Sequence, residues 1–142
     1  MSGNEQKGEE LTIRAQVENL GAVQEYVEQR LESAGCPMKT QMQISLAVEE
    51  IFVNIAFYAY SPGTGDVTVR ARISEDPTAA VITFSDRGIP YNPLEKRDPN
   101  ICLPTAEREI GGLGVFLAKK LMDRLDYEYR DGQNILTMGK LL

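Results

Sequence analysis

The chain contains no histidine. Without an imidazole it has no Ser-His-Asp or Cys-His nucleophile system, no histidine zinc site and no phosphohistidine relay of its own. Acid–base work falls to carboxylates, Lys, Tyr or Cys. Cysteine is nearly absent too: Cys36 and Cys102 lie 66 residues apart and form no CxxC pair. That usage fits a reduced, cytoplasmic protein rather than a disulfide scaffold. There is no run of Lys and Arg, and the formal charge of −6 with a pI near 4.7 offers no electrostatic footprint for nucleic acid. Long apolar runs are missing as well. The first ten residues, MSGNEQKGEE, have no apolar h-region, and no run approaches the roughly 18 residues of a membrane span. Neither secretion nor membrane insertion is indicated.

What remains is ordinary globular composition, with 142 residues, 42% of them hydrophobic and 25% charged. That length is one domain, burying about two-thirds of its unfolded surface. Residues 1–9 are polar and read as a flexible N-terminus, leaving 10–142 as the single domain.

Leu11, Ile13, Ala15 and Val17 alternate with polar residues, which predicts a half-buried strand. Asn19 is placed to cap a helix with the stripe Leu20, Val23, Val27 and Leu31, ending at Gly35 with Pro37 beyond. A second helix, starting at Lys39 or Thr40, carries Ile44, Val48, Ile51 and Ile55 at the 3.6 period. The turn SPGTGD leads to a strand with Val67, Val69, Ala71 and Ile73, and EDPTAA turns the chain into another over Ala80–Phe84. Residues 85–110 show no period and contain Pro90, Pro93, Pro99 and Pro104, a loop long enough to be functional. GGLG opens a helix from Val115 to about Leu125. Strands Asp126–Arg130 and Ile135–Lys140 follow, joined by DGQN. The order β-α-α-β-β-loop-α-β-β does not alternate as a doubly wound fold does. It predicts an α+β domain: a two-layer sandwich of one mixed, mainly antiparallel sheet with about three helices on one face.

The helix segment EEIFVNIAFYAY carries the densest signal. From Ile51 to Tyr60 every residue is apolar or aromatic except Asn54. Such a helix is expected to be wrapped by its domain. Glu50 lies four residues before Asn54, so a carboxylate and an amide share one face. Two hard oxygen donors suit Mg²⁺, although backbone satisfaction of both groups is the plainer account. In SDRGIPYNP, Asp86 ends a strand and Gly88 follows two residues later, allowing close backbone approach beside a hydrogen-bond acceptor; an ordinary turn reads the same way. GGLG places Gly112 and Gly114 at a helix start, where exposed N–H groups and the helix dipole favour anions. No GK[ST] follows, and Leu117 occupies the last position of a GxGxxG match. A plain glycine-rich cap is the bland alternative.

Taken together, a helix Glu/Asn, a strand-end Asp-x-Gly, a long loop and Gly-x-Gly opening a helix follow the order seen in the GHKL nucleotide-binding superfamily. From about Leu11 to Leu141 the chain resembles that group's Bergerat-type ATP-binding domain. It is most similar to the small bacterial anti-sigma-factor serine/threonine kinases, through EEIFVNIAFYAY, DRGIPYNPLEKRDPN and GGLGVFLAKKLMD. The resemblance implies ATP and Mg²⁺ as cofactors, Asn54 as metal ligand and Glu50 as catalytic base. Asp86 is implied to accept the adenine amine, Gly88 to let the purine approach, and Gly112 and Gly114 to offer N–H groups to phosphates. Thr137 stands for the hydroxyl that the family places near adenine, and residues 91–110 for a lid. Arg87, Lys96, Arg97 and Arg108 are candidate phosphate neutralisers.

The implied partners are a STAS-type anti-anti-sigma protein as phosphoacceptor, a sigma factor, and a second copy in a homodimer. No nucleic acid or membrane partner is implied. Two positions depart from the pattern. Pro90 takes the place of a second glycine, and Tyr58 stands where relatives commonly carry histidine. A nucleotide-gated protein-binding module with little catalysis, and slow ATP hydrolysis by the same residues, are the other readings. A sensor histidine kinase is the weakest, because the chain has neither a histidine nor room for a phosphoacceptor domain.

Overall fold

The computed structural model describes residues 6–7, 10–60, 62–75, 78–95 and 112–142. Its strands are β1 (Gln6–Lys7), β2 (Glu10–Arg14), β3 (Asp66–Ser74), β4 (Ala79–Asp86), β5 (Arg124–Arg130) and β6 (Gln133–Leu141). Its α-helices are α1 (Leu20–Ser33), α2 (Met38–Tyr58) and α3 (Gly112–Leu121). The sheet order is β1-β2-β3-β4-β6-β5 and every neighbouring pair is antiparallel, so the parallel component allowed by a mixed sheet is not there among the described residues. Of the N-terminal residues expected to fray, Gln6–Lys7 add a short edge strand to β2. Residues 1–5 and 8–9 lie outside the described residues.

Strand alternation decides the layers. Leu11, Ile13, Val67, Val69, Ile82, Phe84, Leu136 and Met138 point to one face and are buried. Against them lie Val23, Tyr26, Val27 and Leu31 of α1 and Ile44, Val48, Ile51 and Phe52 of α2. Ala118 of α3 completes the layer. Tyr26 is fully buried, and its hydroxyl oxygen accepts the Ala71 N–H at 3.2 Å. The opposite sheet face carries Thr12, Thr68, Thr83 and Ser85, half-buried or more exposed, consistent with a two-layer sandwich.

Local chemistry explains most boundaries, and several differ from expectation. Gly35 adopts φ +74°, while Gly35 N–H bonds Glu32 O and Cys36 N–H bonds Leu31 O, closing α1 in a Schellman motif. Asn19 does not cap α1 through its side chain, because its amide donates to Arg14 O instead. Val17 has left the strand for a 3-10 turn and is 45% exposed. Helix α3 begins at Gly112 and stops at Leu121, so Leu125 belongs to β5.

The β5–β6 connection is tighter than DGQN suggested. Arg130 pairs with Gln133 across a two-residue turn in which Asp131 and Gly132 have φ of 54° and 77°. Both lie in the left-handed region that the twist-matched hairpin turn requires, and Asp and Gly tolerate it. Gln133 and Asn134 therefore belong to β6. Helix α2 is not wrapped all round either. Its inner face is buried, but Met38, Met42, Leu46 and Phe57 are large apolar side chains left exposed on its outer side.

Candidate functional site

Helix α2 and the facing ends of β4 and β6 enclose a pocket. Its apolar walls are Ile51 and Ile55 of α2, Phe84 of β4 and Leu136 of β6. Three aromatic rings, Tyr58, Tyr91 and Tyr127, line one side, with Tyr58 and Tyr91 6.1 Å apart in a tilted arrangement. Among the described residues Asn54, Asp86 and Asn134 are the buried polar groups, at 3%, 5% and 7% exposure, and all three line this pocket. Few convergent polar groups inside an apolar cleft is the general form of a small-molecule site.

Asn54 sits on the buried face of α2 one helical turn beyond Glu50. Its Nδ2 is buried and has no hydrogen-bond partner among the described residues. A buried donor left unmade costs about 1–3 kcal/mol, so the fold holds this amide against a demand that the protein does not meet. Glu50 is half-buried at the edge of the same helix. Burial, and secondarily the neighbouring Glu49 charge, raise its carboxyl above the ordinary carboxylate value.

Asp86 closes β4, and its Oδ1 accepts the Gly88 N–H and the Asn134 amide, both at 2.9 Å. Burial pushes the carboxyl up, while those two hydrogen bonds pull in the other direction. Asn134 stands directly opposite Asp86 in the β4–β6 register. Its Nδ2 also donates to Ile89 O at 2.9 Å, and its Oδ1 accepts the Tyr91 N–H at 3.1 Å and the Tyr127 hydroxyl. One side chain thus ties the carboxylate, the turn after β4 and β5 together. The sequence reading missed it because Asn134 was placed in the hairpin turn. The available signal was the Asp-Gly pair, which selects a two-residue turn and pushes the following residues into the strand.

Thr137 is elsewhere. It pairs with Thr83, three residues along β6 and about 10 Å from the Asn134 level. It also belongs to the opposite sheet face, because Asn134, Leu136 and Met138 are the inward residues of β6. Its hydroxyl is not part of the pocket.

Gly88 has a structural duty that the motif did not reveal. A Cβ there would lie 2.0 Å from Ala59 O, and the next residue, Ile89, donates its N–H to that same carbonyl at 2.9 Å. The glycine lets the turn after β4 close onto the C-terminal end of α2. Pro90 follows immediately, with no N–H to place. Gly112 is the first residue of α3 and Gly114 lies in its first turn, and α3 packs against α2. Lys96, Arg97, Arg108 and most of the expected lid lie outside the described residues. Arg87 is exposed and shares a groove with Thr12, Thr68 and Gln133 on the other sheet face rather than lining the pocket.

No three Cys, Asp or Glu side chains converge as a metal cage among the described residues. A hard cation in this pocket would take Asn54 Oδ1 from the protein and its remaining oxygens from ligand and water. No helix among the described residues is long and apolar enough to cross a membrane.

An antiparallel α+β sandwich with Glu and Asn on a helix, Asp-x-Gly at a strand end and a glycine-rich helix start defines a GHKL-type domain. The chain belongs to the histidine kinase-like ATPase domain family, whose model matches residues 13–140. Among curated proteins it is 25% identical over 100 residues to the serine/threonine-protein kinase BtrW of Bordetella bronchiseptica, covering 70% of each chain. It is 27% identical over 135 residues to the serine-protein kinase RsbW of Halalkalibacterium halodurans, covering 94% of this chain and 82% of that one. The histidine kinase domain of a blue-light activated kinase from Erythrobacter litoralis superposes with a TM-score of 0.53 at 20% identity. That match takes in 87% of this chain and 61% of the other. Histidine kinase AdeS of Acinetobacter baumannii gives 0.51 at 12% identity, over 92% and 66%. At those identities the structures speak for the fold alone.

Proposed function

We propose that this protein is an ATP- and Mg²⁺-dependent serine/threonine protein kinase of the anti-sigma-factor type. Its phosphoacceptor in this reading is a serine or threonine on a STAS-type antagonist, and a sigma factor is its second partner. The observation that carries the reading is the pocket itself. Among the described residues, a buried amide N–H donor without a partner on α2 and a buried carboxylate engaged through Oδ1 line the same apolar cleft. The curated relatives are named serine or serine/threonine kinases, which supports the choice of reaction.

An adenine amine fits the remaining acceptor capacity of Asp86, with Ile51, Phe84 and Leu136 supplying apolar contact to a purine. Asn54 Oδ1 is the donor offered to a metal held mainly by phosphates, and its buried Nδ2, without a partner among the described residues, suits an oxygen of the incoming ligand. Bound Mg²⁺ would neutralise phosphate charge, which together with positioning is most of what phosphoryl transfer needs. Glu50 takes the proton from the attacking serine Oγ as the Oγ–P bond forms, the bond from P to the ADP oxygen breaks, and ADP leaves. A carboxylate lifted above its usual value by burial is a better base than an exposed one.

Incubating the purified protein with labelled ATP and a STAS-domain protein tests the proposal. Label should appear on the STAS protein, and Glu50→Gln should remove it while ATP still binds. Absence of any ATP or ADP binding would overturn the whole reading. Transfer that survives Glu50→Gln would remove Glu50 from its role.

A further inference from the structure

The pocket leaves one large feature unused. Met38, Met42, Leu46 and Phe57 are 66%, 61%, 48% and 44% exposed, and their spacing places them on one face of α2. Isolated exposed apolar residues are common on any surface, but Met38, Met42 and Leu46 recur every four residues and form a stripe about 12 Å long, with Phe57 further along the same helix. At its N-terminal half the stripe borders a groove against α1, lined by Met38, Met42 and Leu46 on one wall and Glu28 and Glu32 on the other. Among the described residues neither Glu28 nor Glu32 makes an ion pair, and no Lys or Arg lines the groove. Arg30, on the other flank of α1, stacks over the Tyr26 ring at 4.0 Å.

Charge decides which occupant this surface suits. A second copy meeting the same face across a two-fold axis would bury its Glu28 and Glu32 in an interface where the groove offers no Lys or Arg to pair them, and uncompensated charge there opposes association. An anionic lipid surface is repelled by the same carboxylates. A helix with apolar residues at i, i+4 and Lys or Arg along its flank matches both walls at once. Unbranched methionines are the side chains that adapt best to such a ligand. We propose that the groove between α1 and α2 docks a basic amphipathic helix of another protein. The inference rests on this surface and is independent of the nucleotide reading.

The test uses the full chain and two labelled peptides of roughly 18 residues, a Leu/Lys amphipathic helix and its Leu/Glu counterpart, followed by fluorescence anisotropy. The Leu/Lys peptide should bind at least about tenfold tighter than the Leu/Glu peptide, and Met42→Ser with Leu46→Ser should weaken it about tenfold. Glu28→Lys with Glu32→Lys should reverse the preference, a gain that misfolding cannot imitate. Thermal unfolding of each variant checks that the fold is kept. Unchanged Leu/Lys affinity in both variants, or no reversal, overturns the proposal. So does a dimer in sedimentation velocity that Met42→Ser with Leu46→Ser dissociates, or binding to phosphatidylserine vesicles lost in that same variant.

Discussion

Replacing Asn134 by Leu keeps the branched side-chain outline and removes the hydrogen bonds that the Asn134 amide makes at the centre of the pocket. The native amide gives one bond to the Asp86 carboxylate and one to Ile89 O, both at 2.9 Å, and accepts the Tyr91 N–H at 3.1 Å and the Tyr127 hydroxyl. A bond to a charged group contributes about 1.5–3 kcal/mol and a neutral one about 1, so the four together come to about 5 kcal/mol. Water entering the opened turn recovers part of that. The expected loss in the nucleotide-free protein is therefore about 3 kcal/mol at pH 7.5, read from urea unfolding followed by far-UV circular dichroism.

The pH dependence carries the sharper test. Burial raises Asp86 above its reference of 3.8, so its contribution to stability is greatest when it is protonated, below that reference. The contribution is lost as pH rises through the elevated native value. Removing the Asn134 donor raises the native value further, which extends the loss to higher pH. The destabilisation should shrink by about 1 kcal/mol between pH 7.5 and pH 4, as the charged bond gives way to a neutral one. A double-mutant cycle with Asp86→Asn should show coupling of about 1 kcal/mol or more. A pH-independent loss together with additive single effects would refute the idea that Asn134 acts through the Asp86 carboxylate.

Other expectations follow from the same geometry. Glu50→Gln should lower phosphate transfer by about 10²-fold or more in a labelled-phosphate assay, with ATP affinity by calorimetry nearly unchanged. In the native protein the rate should climb as pH rises through the elevated Glu50 value, because the base acts when ionised, and no such limb should remain in the variant. Asn54→Ala should remove the Mg²⁺-dependent part of nucleotide affinity, yet leave the unliganded protein as stable or about 1 kcal/mol more stable by thermal denaturation, since it deletes an unsatisfied buried donor. Gly88→Ala brings a methyl group to 2.0 Å from Ala59 O, and chemical denaturation should show a cost of about 1–3 kcal/mol as the turn after β4 shifts.

Much of this architecture is legible from local pattern. Alternation marks β2 and β3, a short apolar run after the EDPTAA turn marks β4, the 3.6 period marks α1 and α2, and Gly35 marks the end of α1, because each depends on neighbours within a few residues. The absence of histidine confines acid–base chemistry to other groups, and the Glu50–Asn54 spacing puts two oxygen donors on one helix face whatever surrounds them. Register and approach distance depend on residues far apart in the chain, and those the tertiary structure alone decides. Asp86 is 48 residues from Asn134, and they meet only because a two-residue turn starts β6 at Gln133. One residue of slip would send Asn134 to the other sheet face, where Thr137 lies. Gly88 reads as ligand space in sequence and becomes a contact with Ala59 once the β4 turn closes on α2. The apolar run in α2 implied a wrapped helix, but a two-layer fold covers only its inner side, leaving Met38, Met42, Leu46 and Phe57 facing outward. Periodicity reports which residues share a face, and only the packing of the layers decides which faces are covered.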